Sequence, residues 1–182
     1  MLPTQAIFLR DFLLPQLQSE SVVTAKIISA VPAGQSDFKP NEKCFSAFRL
    51  SWHIALCEMW LLDAVIHREF RDTDPRPDEL KTCADVAAWY TEQFSQRIPL
   101  LKSLTGEQLI VPVPYIELRN DPAVAYLNIA IRHAVHHRGQ LSTYLRCMGA
   151  HVPAIYVESA DEPYPPDPGS AAAESDMRPP AF

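Results

Sequence analysis

His133 and His137 stand one helical turn apart inside an apolar stripe, and no other feature of this chain limits its fold so tightly. Side chains four residues apart on an α-helix project from the same face, so the stretch RHAVHHRGQLSTY aims two imidazoles at one point. On the same helical wheel Tyr126, Ile129, Ala130, Gln140, Leu141, Tyr144 and Met148 join them, which places both histidines in the middle of a buried face. His136 and Arg138 fall off that axis and read as outward-facing or supporting residues. Two ligands hold a metal weakly. A third must come from another helix, and His53 is the candidate.

Around His53 the wheel gathers Ser46, Arg49, Leu50, Leu56, Cys57, Trp60, Leu61 and Ala64, so this imidazole also points into a core, with Arg49 and Cys57 each one turn away. The helix carrying it begins near Ser46, whose hydroxyl is placed to cap the first turn, and runs to about Phe70. Two further amphipathic helices complete the set. The first runs from about Thr4 to Val31, with a kink or a late start expected at Pro15 because proline lacks the N–H for an intrahelical bond. The third opens at Thr82 and Asp85, spaced as a capping box, and runs to about Leu104. Pro112 and Pro114 predict a short irregular or β-like connection. Asp121 and Pro122 then read as the start of the fourth helix, which stops at Gly149. Four such helices without convincing strands predict an all-α four-helix bundle. The segment RDTDPRPDELK, between the second and third helices, is long enough for a crossover.

Burying three imidazoles in one small core costs desolvation at each unless they share a partner, and one metal ion satisfies all of them. A carboxylate-bridged metal pair needs Glu three residues before His on two helices, and those positions hold Leu50, Ala130 and Ala134. The expectation is therefore a mononuclear site of His53, His133 and His137 with positions open to water or substrate. Imidazole suits zinc, nickel, iron or copper, and the sequence leaves that choice open.

Charge excludes other classes. From His151 onward six acidic residues face one base, Arg178, which accounts for five of the six net negative charges and leaves the body almost neutral. Without a basic patch, nucleic-acid binding is not expected. No apolar run approaches the roughly 18 residues of a membrane span. The N-terminus, with Arg10 and Asp11 inside its apolar part, does not read as a secretory signal, so a cytoplasmic location is expected. The four cysteines form no C-x-x-C pair and read as reduced thiols. Residues 1–160 form the expected bundle, and residues 161–182 an acidic, Pro-rich tail expected to be disordered.

The combination FKPNEKCFSAFRLSWHIA, RHAVHHRGQLSTYLRCMG and VPAIYVESADEP resembles the DinB/YfiT-like family of metal-dependent enzymes, over about Thr4 to Pro163. The H-x-x-x-H-R-G-Q block and the G-x-x-V-P-x-I-Y segment are its most specific parts. The resemblance implies an up-down-down-up bundle with one divalent ion on His53, His133 and His137. It also implies thiol-dependent chemistry, in which a low-molecular-weight thiol is activated on the metal and acts on a small electrophilic substrate.

Among the neighbours, Gln140 is placed to orient substrate or water, Arg49 to attract an anionic group, and Tyr144 or Tyr126 to donate a hydrogen bond. Cys57 reads as a small buried thiol. Gly139 predicts the close approach of another backbone, and Ile131 with Val135, opposite the histidines, predicts a homodimer interface. The leading expectation is a thiol-dependent transferase or hydrolase. The competing one is a non-enzymatic metal-binding stress-response protein or a dimerising structural bundle.

Overall fold

The computed structural model describes residues 1–164. Four long helices carry the fold: α1 (Pro3–Ser29), α2 (Ala47–His67), α3 (Cys83–Ser103) and, after a short helix α4 (Gly106–Leu109), α5 (Ala125–Cys147). Each buries one stripe, represented by Leu17 and Ile27, Ile54 and Leu62, Tyr90 and Leu101, and Leu127 and Leu145. Burying an aliphatic side chain of this size contributes about 1.5–3 kcal/mol, and this shared interior holds the helices together.

Contacts between helix ends give the directions. Arg10, near the start of α1, donates to the Leu104 carbonyl just past α3 at 2.6 Å, so these two run antiparallel. Ser51 meets Cys83 near the starts of α2 and α3, and Arg97 pairs with Asp63 at 2.7 Å further along, so those two run parallel. Tyr144 near the end of α5 donates to the Phe45 carbonyl just before α2, which makes α5 antiparallel to α2. The order is up-down-down-up. A helix of 21 residues is about 31 Å long, so parallel α2 and α3 oblige the intervening chain to run back along them.

Local capping set two helix starts as the sequence predicts. The Ser46 hydroxyl accepts from the Arg49 amide at 3.2 Å. Thr82 and Asp85 form the reciprocal box, at 3.1 Å and 2.8 Å. Pro15 does not delay α1, which is helical from Pro3. Two expectations need correction. Asp121 and Pro122 do not open the last helix. They lie in β2 (Arg119–Pro122), paired antiparallel with β1 (Pro112–Tyr115) in the register Pro112 to Pro122. The amides that follow are already satisfied, Ala123 by the Val111 carbonyl and Val124 by that of Leu109, so the helix starts later without a side-chain cap.

Gly139 has open space around its Cα, and the close backbone approach falls at Gly106, where a Cβ would lie 2.6 Å from the Pro3 carbonyl oxygen. Ile131 and Val135 are both half-buried. Ile131 packs against the core, and Val135 lines a cavity of about 350 Å³ under residues 152–159. After Gly149, at φ +67, the chain folds back over α1 and α5. Asp161 accepts from the Val152 amide, and Glu162 from the Ala154 amide and Lys26. The rest of the expected tail, from residue 165, lies outside the described residues. All four cysteines are free thiols. No helix among the described residues is long and apolar enough to cross a membrane.

Candidate metal centre

The seventh residue of α2 and the middle of α5 meet at one point, because antiparallel packing sets His53 opposite the turn bounded by His133 and His137. The Nε2 atom of His53 lies 3.2 Å from Nε2 of His137 and 3.2 Å from Nε2 of His133. One N–H on such a cluster serves a single neighbour and leaves other lone pairs facing each other. Three nitrogens about 2.0–2.1 Å from a common ion at tetrahedral angles lie roughly 3.3 Å apart, so the spacing fits a shared cation. Among the described residues the cluster consists of these imidazoles alone.

Burial supports the same reading. His133 is pushed down to about 4, first by desolvation and then by the neighbouring imidazoles. His53 is also lowered, by desolvation, by His137 and by the Arg49 charge. His137 is lowered by desolvation, against the opposing pull of Gln140. All three are therefore neutral near pH 7, the form in which imidazole ligates.

The rear nitrogens show what holds the rings. Gln140 Oε1 lies 2.8 Å from Nδ1 of His137, and the Cys57 sulfur lies 3.3 Å from Nδ1 of His53. A proton fixed on Nδ1 leaves Nε2 as the free donor. Nδ1 of His133 is buried without a partner among the described residues. Gln140 is thus an exposed residue that bonds a candidate ligand, and Cys57 is a half-buried thiol, raised to about 11 by desolvation, that does the same.

The other predicted residues divide. The Arg49 guanidinium sits 4.1 Å over the Phe45 ring, whose edge in turn meets His53 at 5.7 Å, so a positive charge lies beside the cluster. Tyr144 spends its hydroxyl on the Phe45 carbonyl at 3.3 Å and is pushed up to about 12 by desolvation and Cys44, so it remains a donor. Tyr126 is engaged elsewhere, donating to the Val113 carbonyl at 2.7 Å. His136 is exposed.

Arg138 does not face outward. It is 1 % exposed, and it bonds Glu20 at 2.5 Å, Tyr156 at 2.6 Å and Thr24 at 3.3 Å. The residue next to His137 is therefore bolted to α1 and to the C-terminal segment. Nearby, Tyr90 donates to the fully buried Glu58 at 2.8 Å. Sequence reasoning missed both groups. The available signals were Glu20 and Thr24, two polar residues one turn apart in α1, and Glu58 within the apolar run LCEMWLL.

The chain is similar to known proteins. A family model described as the DinB family matches residues 8–168. The uncharacterized protein YjoA of Bacillus subtilis (strain 168) is 28% identical over 130 residues, which are 70% of this chain and 82% of that protein. The crystal structure of that DinB-like protein superimposes with a TM-score of 0.65 at 23% identity, covering 79% of this chain and 96% of that one. A DinB-like protein from Bacillus cereus ATCC 10987 gives the same TM-score at 20% identity, covering 79% and 95%.

Proposed function

The chain belongs to the DinB family, and from that premise we propose that it is a metal-dependent enzyme, a thiol-dependent transferase or a hydrolase, acting on a small molecule. The convergence of three neutral imidazoles, with His53 Nε2 3.2 Å from the Nε2 atoms of both His133 and His137, supports this reading most directly. His53, His133 and His137 would hold a divalent ion, which would lower the pKa of a bound water or thiol toward neutral pH.

The chain's own residues do the rest. Gln140 and Cys57 hold the rear nitrogens of His137 and His53, and so keep their Nε2 atoms unprotonated and aimed. Arg49, exposed and unpaired with any described carboxylate, attracts an anionic group such as a thiol's carboxylate. Tyr144 is protonated, and its hydroxyl would have to leave the Phe45 carbonyl to donate to a bound substrate. A cytoplasmic homodimer is carried forward in the same reading. Its second copy would meet α1, where Phe8 and Phe12 stack at 6.4 Å while 71% and 59% exposed.

The test is elemental analysis of untagged protein, with mass measured by light scattering on the same sample. Close to one divalent ion per chain is expected, falling to background in His53→Ala, His133→Ala and His137→Ala. Metal retained in all three variants removes the site. Metal bound without turnover of electrophiles by any thiol or water removes the enzyme and leaves a metal-binding protein.

A further inference from the structure

The crossover that parallel α2 and α3 require does not lie flat on them. It leaves a cavity of about 370 Å³ whose walls include Trp52, Met59 and Trp60 of α2, Trp89 of α3, and residues 69, 71–75 and 77 of the crossover. A second cavity of about 290 Å³ shares Leu56, Trp60 and residues 71–73 with the first and extends it to Cys57. Together they form a groove along α2. Both volumes lie at the lower end of the range for small-molecule sites.

The groove is built and held open by specific contacts. Trp52 and Trp89 pack at 4.9 Å, and Trp60 packs on Phe70 at 4.5 Å, so the indoles are fixed by neighbours. Trp60 Nε1 donates to the Arg71 carbonyl at 2.7 Å, and Arg76 lies 4.8 Å over the Phe48 ring, which pins the crossover in place.

Charge then selects the occupant. Four carboxylates and two guanidinium groups line the larger cavity. Arg97 is committed to Asp63, and Arg71 to Glu69. Asp72 and Asp74 remain, both exposed and without an ion-pair partner among the described residues. Aromatic faces beside uncompensated carboxylates attract a cation through the ring quadrupole and through simple Coulomb attraction. We propose that this α2–α3 crossover groove binds an organic cation with a flat apolar body, an aryl quaternary ammonium or amine. The inference goes beyond the metal chemistry and stands without it.

The chain's three tryptophans all line this cavity, so tryptophan fluorescence, excited where tyrosine does not absorb, reports on it. Titration of the full chain with benzyltrimethylammonium should give a saturable change, and benzenesulfonate, with the same ring and opposite charge, should give none. The Asp72→Asn/Asp74→Asn protein should bind the cation about tenfold more weakly, the equivalent of one modest electrostatic contact. Both side chains are exposed, so the double variant leaves the core intact. His133→Ala protein should bind as the wild type does. Absence of saturation, equal response to the sulfonate, unchanged affinity in the double asparagine variant, or loss of binding in folded His133→Ala would each overturn the proposal.

Discussion

Gln140 is solvent-exposed, yet its amide oxygen is 2.8 Å from the rear nitrogen of His137, and its amide nitrogen is 3.3 Å from His136. A residue in that position would act on a bound metal by orienting the ring that holds it. Removing such a partner typically costs 10- to 100-fold in metal affinity. Gln140→Ala should therefore bind zinc about 10- to 100-fold more weakly in a chelator competition, while unfolding at the wild-type temperature when metal-free. Unchanged affinity would return Gln140 to the solvated surface. The three histidines were legible in the sequence because their spacing is fixed by helical geometry. Arg138 was not: its carboxylate partner, Glu20, lies 118 residues away, and a charged residue off the apolar stripe reads as solvated until that partner is seen.

At the scale of elements, legibility followed the range of the hydrogen bonds. Ser46 and the Thr82–Asp85 box cap helices through atoms three residues apart, and the sequence predicts both. Asp121 and Pro122 have equally good local capping chemistry, but pairing with β1 competes for them and wins. The glycines divide in the same way. Gly139 interrupts a helix in the sequence, whereas Gly106 fills a contact that exists only once α1 has docked. Gly106→Ala should destabilise the protein by about 1–3 kcal/mol through overpacking against the Pro3 backbone. Gly139→Ala should be neutral or stabilising by up to about 1 kcal/mol, as expected for a helix interior with free space. In denaturant titrations the Gly106→Ala midpoint should fall below the wild type's and the Gly139→Ala midpoint should not.

The whole molecule carries its polar groups where all four long helices meet. Arg138 of α5 binds α1, Glu58 of α2 receives a hydrogen bond from Tyr90 of α3, and Arg138 also acts on Glu58. Complete burial pushes the Glu58 carboxyl up to about 8, against the opposing pull of the Tyr90 hydrogen bond and the Arg138 charge. The folded protein therefore keeps a proton there that the unfolded chain releases near pH 4.5. Between those values the fold binds more protons, so this group's contribution to stability falls as pH rises, by at most about 1.4 kcal/mol per pH unit, and levels off above about 8. The histidines act in the opposite sense, since their lowered values make stability fall as pH drops below 6.5. Comparing metal-free wild type with Glu58→Gln cancels that contribution. The variant should gain on the wild type steadily from pH 5 to 8 in chemical denaturation, and a constant difference would mean that Glu58 is ionised in the fold.

His53 and His137 are 84 residues apart in the chain, and their ring nitrogens are 3.2 Å apart in space. An ion shared by them would act as a cross-link closing a long loop, and closing loops of that length is entropically costly for an unfolded chain. The tie would join the helix before the crossover to the last helix of the bundle, the two elements whose meeting depends on everything between them having folded. Occupancy would then be a readout of assembly: a chain that has not brought α2 against α5 has nowhere to keep the ion. One that has would be held closed by the bound ion, with a stabilisation that grows with the logarithm of free metal above its dissociation constant.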